Sequence, residues 1–123
     1  MSESSHQIAL FRWAAVAEAT RPELALLYSV PNGGARHKAT AGRLKAEGVR
    51  AGVPDVCLPV PRGGFGALYI ELKAPREPGS TKRAGRLSQA QADFGAALLR
   101  AGNDWRVAYG WDEARRQIEG YLG

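Results

Sequence analysis

Hydrophobic residues along the chain recur with helical spacing in some segments and form short apolar runs in others. Apolar residues three and four positions apart predict helices over residues 3–20, 38–47, 89–101 and 112–122. The apolar runs predict strands over residues 55–60, 67–73 and 105–109. Residues 24–30 are also apolar, and this pattern leaves open whether they form a helix tail or a strand.

Capping and turn residues set the predicted boundaries of these elements. Pro22 ends the first helix, and Gly48 follows the second as a residue that tolerates a left-handed backbone. Ser88 and Asp112 are predicted N-caps, because their side-chain oxygens accept hydrogen bonds from the free N–H groups of a helix start. The turn-rich segment 61–66 predicts a hairpin between its two neighbouring strands.

The order of the elements predicts an α/β fold, with a mixed central sheet flanked by helices in one domain of residues 1–123. The unit from strand 67–73 through helix 89–101 to strand 105–109 is expected to be parallel and right-handed. Between them, segment 74–86 is rich in proline, glycine and basic residues, which predicts a mobile loop.

Composition is that of an ordinary globular protein, with 45% hydrophobic and 24% charged residues. No apolar run approaches the length of a membrane span, and the first residues lack the pattern of a signal peptide. Cys57 is the single cysteine and is expected to be buried, so we expect a cytoplasmic, intracellular protein without internal disulfides. Cys57, His6 and His37 do not form a zinc-binding set.

Basic residues exceed acidic ones by 17 to 12, giving a net charge of +5, which favours a polyanionic partner such as nucleic acid. Their placement is more informative, because basic residues cluster on both sides of the predicted hairpin. The clusters are Arg36, Lys38, Arg43, Lys45 and Arg50 before it, and Arg76, Lys82, Arg83 and Arg86 after it. The alternative interpretation is that the two basic clusters lie in solvent-exposed loops that do not bind nucleic acid.

Candidate chemistry lies in the hairpin itself. Glu71 and Lys73 are two positions apart in an apolar strand and therefore point to the same face, to which the hairpin can also bring Asp55. Carboxylate oxygens are the ligands that magnesium and manganese prefer, and a nearby amine can orient water or stabilise developing charge. The alternative is a solvent-exposed Glu–Lys pair with Asp55 in a plain turn.

These residues resemble the PD-(D/E)XK nuclease superfamily, in which Pro-Asp precedes a hairpin that ends in Glu-x-Lys. Pro54-Asp55 and Glu71-Leu72-Lys73 match that pattern. The wider context, with the Pro-Asn-Gly-Gly run at residues 31–34 and the run from Lys45 to Asp55, is similar to the virus-type replication-repair nuclease (VRR-NUC) domain. The resemblance covers nearly the whole chain and implies a nuclease core.

The resemblance implies a metal site that holds Mg²⁺ or Mn²⁺. Asp55 and Glu71 would be ligands, the backbone carbonyl of Leu72 a third, and Glu3 of the N-terminal helix a further one. Leu72 and its neighbour Ile70 would anchor the strand.

The resemblance also implies roles around that metal site. Lys73 would be the catalytic amine, and Gln91 would contact water or phosphate near the metal. Residues expected to bind nucleic acid are Asn32, Gly33, Gly34, Arg36, Lys38, Lys45, Arg50, Arg76, Lys82, Arg83, Arg86 and Ser88. On residue chemistry alone, segment 31–34 is equally well a plain turn, and Ser88 a plain helix cap.

The function expected from these observations is a metal-dependent DNA endonuclease of phage or mobile-element replication and DNA repair. Small members of the family resemble junction-resolving enzymes, so we expect a homodimer that acts on branched DNA such as a Holliday junction. Three tryptophans and the apolar stretch 24–28 are expected to supply some of the dimer surface. The alternatives are a non-catalytic nucleic-acid-binding subunit and a sequence-specific restriction-type endonuclease.

Overall fold

The computed structural model describes residues 1–31 and 38–123, and side chains for 1–31 and 40–123. Its α-helices are α1 (Glu3–Ala17), α2 (Lys38–Ala46), α3 (Gln89–Arg100) and α4 (Trp111–Leu122). Its strands are β1 (Tyr28–Ser29), β2 (Val56–Leu58), β3 (Leu68–Lys73) and β4 (Asp104–Tyr109). A short 3-10 helix, Pro22–Leu26, precedes β1, so the stretch that the sequence left open contains both helix and strand.

Within these ranges the strands form one mixed sheet in the order β1-β2-β3-β4. Strands β2 and β3 are the predicted antiparallel hairpin, with Val56 opposite Ile70 and Leu58 opposite Leu68. Strand β4 lies parallel to β3, as expected for the crossover through α3. The prediction of an α/β fold with a mixed sheet flanked by helices is confirmed.

The two faces of the sheet differ in chemistry because side chains alternate along each strand. Ile70 and Leu72 face the main core, which contains Leu10 of α1 and Ile118 of α4. Glu71 shares the opposite face with its parallel partner Val107, and helix α3 covers this face. Both faces of β3 are therefore buried, including the one that carries the charged residues.

Helix α3 approaches the sheet closely at Gly95. A Cβ atom at this position would lie 2.1 Å from the indole ring of Trp105, so only glycine fits at the observed separation. This contact packs the middle of α3 against β4, and the first turn of the helix reaches β3 through the side chain of Gln91.

One predicted cap is wrong. Asp112 does not cap α4, since the helix begins one residue earlier and its N-cap is Gly110, which has no side chain to accept a hydrogen bond. His6 of α1 replaces the cap, because its Nδ1 accepts a hydrogen bond of 3.1 Å from the Trp111 amide. A buried imidazole thus joins the two core helices.

The apolar stretch 24–28 is less exposed than the dimer prediction assumed. Leu24 and Leu27 are buried in the core, and Trp13 and Trp111 pack against it, whereas Leu26 and Tyr28 remain exposed. In the described part of the chain, no helix is both long enough and apolar enough to span a membrane.

We predict that Gly95→Ala destabilises the protein by about 1–3 kcal/mol, because the added methyl group overlaps the Trp105 ring. The matched control is Gly120→Ala in α4, where an added Cβ meets no atom within 4 Å. This control is expected to be neutral or more stable by up to about 1 kcal/mol. Urea unfolding followed by circular dichroism measures both, and equal stability of Gly95→Ala and the parent would contradict the packing.

Candidate functional site

Asp55 is held at the start of the hairpin by both its backbone and its side chain. Its carbonyl accepts a hydrogen bond of 2.8 Å from Val30, next to the edge strand β1. Its side-chain Oδ2 accepts one of 2.9 Å from the amide of Leu72 in β3. Strand β2 begins only at Val56, so the Asp55 carboxylate supplies the partner that Leu72 would otherwise lack.

The carbonyl of Leu72 lies on the same edge of β3 as Asp55. Within a strand the N–H and C=O groups of one residue point to the same neighbouring strand, and those of the next residue point to the strand on the other side. The Lys73 carbonyl accepts a hydrogen bond from the amide of Gly110, which directly follows β4, so it points towards β4. The Leu72 carbonyl therefore points the other way, towards β2. The predicted third metal ligand is therefore on the side where the Asp55 carboxylate lies.

Gly52 places Asp55 against the start of α3. Its φ is +85°, and a Cβ atom there would lie 2.2 Å from the carbonyl oxygen of Ala90. No other residue fits this close approach of two backbones. The sequence analysis did not assign Gly52 this role, although the Gly-Val-Pro-Asp run contained the signal.

Glu71 is almost completely buried, with 2% of its surface exposed. Its Oε1 accepts a hydrogen bond of 3.0 Å from Nε2 of Gln91 and lies 3.8 Å from the Lys73 ammonium. Its other oxygen, Oε2, is buried without a hydrogen-bond partner among the residues that the structure describes. A buried acceptor of this kind is costly unless a donor or a cation approaches it.

The electrostatics of the site favour a proton or a cation at Glu71. Burial, the nearby Asp55 carboxyl group and the charge of Glu3 together raise the pKa of Glu71 to about 8, against the opposing effect of Lys73. Two carboxyl groups thus lie close together in a poorly solvated place.

Gln91 is oriented by a capping box at the start of α3. Ser88 Oγ accepts from the Gln91 amide, and Gln91 Oε1 accepts from the Ser88 amide at 2.9 Å. With Oε1 fixed in this way, Nε2 points to Glu71. Ser88 is thus the N-cap that the sequence predicted, and the Gln91 side chain both completes the capping box and contacts Glu71.

Lys73 is also buried, with 7% of its surface exposed. A Cβ atom at Gly85 would lie 3.3 Å from Cδ of Lys73, and the Gly85 amide donates to the carbonyl of Ala74. The loop after β3 therefore folds back over the Lys73 side chain and holds it beside Glu71. Gly85 is a second position whose role the sequence analysis missed.

The carboxylates open into a cavity of about 430 Å³. Helix α1 contributes Glu3 and Gln7 to its wall, and Asp55, Glu71 and Gln91 form the side nearest the sheet. The predicted N-terminal glutamate therefore faces the same cavity as the hairpin carboxylates. His6, between Glu3 and Gln7, anchors this end of α1 to α4.

The donor set fits a hard divalent cation. It comprises the Asp55 carboxylate, the Glu71 carboxylate with its unpartnered Oε2, and the Leu72 carbonyl, all of them oxygen donors. In the described ranges, no three side chains of His, Cys, Asp and Glu form a ready-made metal cluster. A bound ion would therefore need water or phosphate oxygens to complete its shell, as magnesium commonly does.

The predicted nucleic-acid contacts fall in three groups. Asn32, Gly33, Gly34 and Arg36 lie outside the described residues, as does the side chain of Lys38. The predicted basic contacts that the structure describes are Lys45, Arg50, Arg76, Lys82, Arg83 and Arg86, of which Lys45, Arg50, Lys82 and Arg83 are exposed and Arg76 and Arg86 at least partly so. Ser88 is exposed and caps α3.

Comparison with known proteins agrees with the motif resemblance. A family model for the VRR-NUC domain matches residues 2–112. A solved structure described as a VRR_NUC domain protein is 25% identical, with a TM-score of 0.78 over 99% of this chain and 88% of its own. No curated protein matches the sequence.

We predict that the metal-free protein loses stability as pH rises from about 4.5 to about 8. In this window the unfolded chain has released the Glu71 proton while the folded chain retains it, so the free energy of unfolding falls with pH. Glu71→Gln has no such proton, so its free energy of unfolding should not fall in this window. Its stability relative to the parent should therefore increase by a few kcal/mol as pH rises, at about 1.4 kcal/mol per pKa unit.

Urea unfolding at pH 5 and pH 8.5 with chelator present measures this difference. Glu18→Gln, which removes an exposed carboxylate at the end of α1, should follow the parent at both pH values. The same pH dependence in Glu71→Gln as in the parent would show that Glu71 ionises normally.

Proposed function

We propose that this chain, which belongs to the VRR-NUC domain family, is a divalent-metal-dependent endonuclease that hydrolyses phosphodiester bonds of DNA. The observation that carries the proposal is the convergence of Asp55, Glu71 and Lys73 on one side of the hairpin. Family membership supports nuclease chemistry, and the buried, partly unpartnered carboxylates support the choice of metal-assisted hydrolysis.

Asp55, Glu71 and the Leu72 carbonyl would hold the ion, and Glu3 faces the same cavity as a further candidate. When bound, Mg²⁺ or Mn²⁺ supplies polarisation of a phosphoryl oxygen and lowers the pKa of a bound water. Gln91 keeps Glu71 in place through its fixed amide. These contacts leave little freedom for the carboxylates to rearrange, which favours an organised transition state.

Lys73 would act on the reacting phosphate or on the attacking water. Its ammonium is 3.8 Å from Glu71 Oε1 and is shielded from solvent by the loop that includes Gly85. In such surroundings a positive charge stabilises developing negative charge more strongly than in water. The same ammonium can orient a water molecule through its N–H groups.

DNA is the proposed substrate because exposed basic residues flank the hairpin on both sides in sequence. Phosphate contacts of this kind position a duplex without reading its bases. We further propose preference for branched DNA, a homodimer that presents two sites, and an intracellular role in phage or bacterial DNA repair. The burial of Leu24 and Leu27 reduces the apolar surface available to such a dimer, which leaves Leu26 and Tyr28 as exposed apolar residues of that stretch.

A non-catalytic nucleic-acid-binding subunit is the alternative function. Such a protein would need the basic surface but would not need a buried Glu71 beside Asp55 and Lys73. Retaining a carboxyl group with a strongly raised pKa costs stability, and this cost favours the catalytic proposal.

We predict that Asp55→Asn and Lys73→Met each lower DNA cleavage at least about a hundredfold, because one removes a ligand charge and the other the ammonium. Asparagine retains an oxygen that can accept from the Leu72 amide, so a loss of activity reports on charge and not on the hairpin. Cleavage of supercoiled plasmid and of four-way-junction DNA, with Mg²⁺, Mn²⁺ or chelator, measures the effect. DNA affinity in chelator should stay within a few-fold of the parent.

The matched control is Asp93→Asn, which neutralises an exposed carboxylate on α3 outside the cavity and should retain full activity. Thermal unfolding gives a second readout: Mn²⁺ should raise the unfolding temperature of the parent but not that of Asp55→Asn. Parent-like cleavage by Asp55→Asn would refute the catalytic assignment.

We predict that Lys82→Ala with Arg83→Ala weakens DNA binding and reduces the slope of log K against log salt by about 1–2, because fewer counterions are released. The control pair is Arg12→Ala with Arg100→Ala, which removes the same charge from exposed positions of α1 and α3. Binding is measured by fluorescence anisotropy from low to moderate salt with chelator present. If both pairs change the slope equally, net charge and not the loop explains the effect.

A further inference from the structure

A second cavity, of about 390 Å³, lies on the other side of the sheet from Glu71. Asp104 and Arg106 of β4 line it, and their register partners in β3 are Leu68 and Ile70. Since paired residues of parallel strands share a face, these side chains lie on the face opposite to Glu71. The cavity, called here the α4 pocket, is also lined by Arg62, Phe65, Gln117 and Tyr121.

The aromatic wall of the α4 pocket is held rigidly. Phe65 follows a turn in which the backbones of Arg62 and Phe65 exchange hydrogen bonds, and 36% of its surface remains exposed. Gly63 and Gly64 have positive φ angles, which this tight turn requires. The Phe65 ring lies 6.5 Å from that of Tyr121, whose hydroxyl donates to the Val60 carbonyl at 2.6 Å.

The two guanidinium groups of the pocket are fixed but remain accessible. Arg106 Nε lies 3.2 Å from each carboxylate oxygen of Asp104, and 56% of the Arg106 side chain is exposed. Arg62 donates to Glu23 at 2.9 Å, and 39% of its side chain is exposed. Each arginine therefore has N–H groups left for an anion, in positions set by its carboxylate partner.

The pocket also contains an acceptor without a donor. Gln117 Nε2 donates to the Val107 carbonyl at 3.0 Å, which fixes the orientation of the amide. The Gln117 Oε1 atom is buried and has no hydrogen-bond partner among the described residues. A ligand with an N–H group would satisfy this oxygen.

We propose that the α4 pocket binds a nucleotide, either free or as an unpaired position of a DNA strand. The planar base would stack on Phe65, the phosphate would meet Arg62 and Arg106, and base N–H groups would donate to Gln117 or Asp104. A simple inorganic anion would leave the aromatic wall unused, and an apolar ligand would leave Gln117 Oε1 unpaired. The proposal does not rest on cleavage activity.

Titration of the ¹⁵N-labelled full chain tests the proposal, with chelator present so that no hydrolysis occurs. The probes are deoxynucleoside monophosphates and a short single-stranded oligonucleotide. We expect amide shifts concentrated in segments 62–66, 104–106 and 117–121. Phe65→Ala and Arg106→Ala should each weaken binding about tenfold, within the range measured for base stacking and charged contacts.

The controls separate stacking from general charge and from misfolding. Phe65→Trp retains an aromatic surface and should restore affinity. Arg116→Ala removes one charge from α4 outside the pocket and should change affinity less than about twofold. The amide spectrum of each free variant shows whether it is folded.

Each outcome decides the proposal. Chemical-shift changes at the pocket amides on addition of monophosphates support a site for free nucleotides. If only the oligonucleotide binds, and its binding depends on Phe65, the result supports contact with an unpaired strand. Binding of neither probe at these amides, or parent-like affinity of a folded Phe65→Ala, overturns it. That failure would leave metal-dependent cleavage by the parent unchanged, so the two proposals are tested separately.

Discussion

The hydrogen bond from the Leu72 amide to Asp55 Oδ2 is the contact on which the site depends. Asp55 precedes the first residue of β2, so this bond joins the two hairpin strands where their backbone hydrogen bonds no longer do. It also brings a carboxylate to the edge of β3 where the Leu72 carbonyl lies. Asp55 can therefore serve two purposes through different properties: its side-chain oxygen completes the sheet, and its charge is available for the cation that we propose. A neutral residue with the same shape satisfies only the first demand.

Burying the charged carboxylate of Glu71 costs free energy, and its neighbours in the site reduce this cost. The Gln91 amide and the Lys73 ammonium compensate one carboxylate oxygen, whereas the other has no partner among the described residues. The raised pKa of Glu71 reflects this incomplete compensation. A cation held there, as we propose, would relieve this cost and would couple metal binding to folding stability.

Much of this arrangement could be predicted from sequence, because the hairpin and the crossover follow from apolar runs and turn residues near in the chain. The close approaches could not. Gly52 lies against Ala90, and His6 replaces the expected Asp112 cap from 105 positions away, so both depend on how separate elements pack. Gln91 shows a third case: the Ser-x-x-Gln spacing indicates the cap at Ser88, whereas the contact of the same glutamine with Glu71 depends on how α3 packs on the sheet.

Because Gln91 belongs to the capping box of α3 and also contacts Glu71, the site is complete only when the first turn of this helix is folded. Helix termini fray more readily than helix centres, so the first turn of α3 can open while the sheet stays intact. Opening would release the Gln91 amide and leave Glu71 without its donor. Slow hydrogen exchange at the Gln91 amide would thus report an assembled site. Heating would therefore disorder the site in one turn of helix, below the temperature at which the whole molecule unfolds, and the proposed activity would be lost with it.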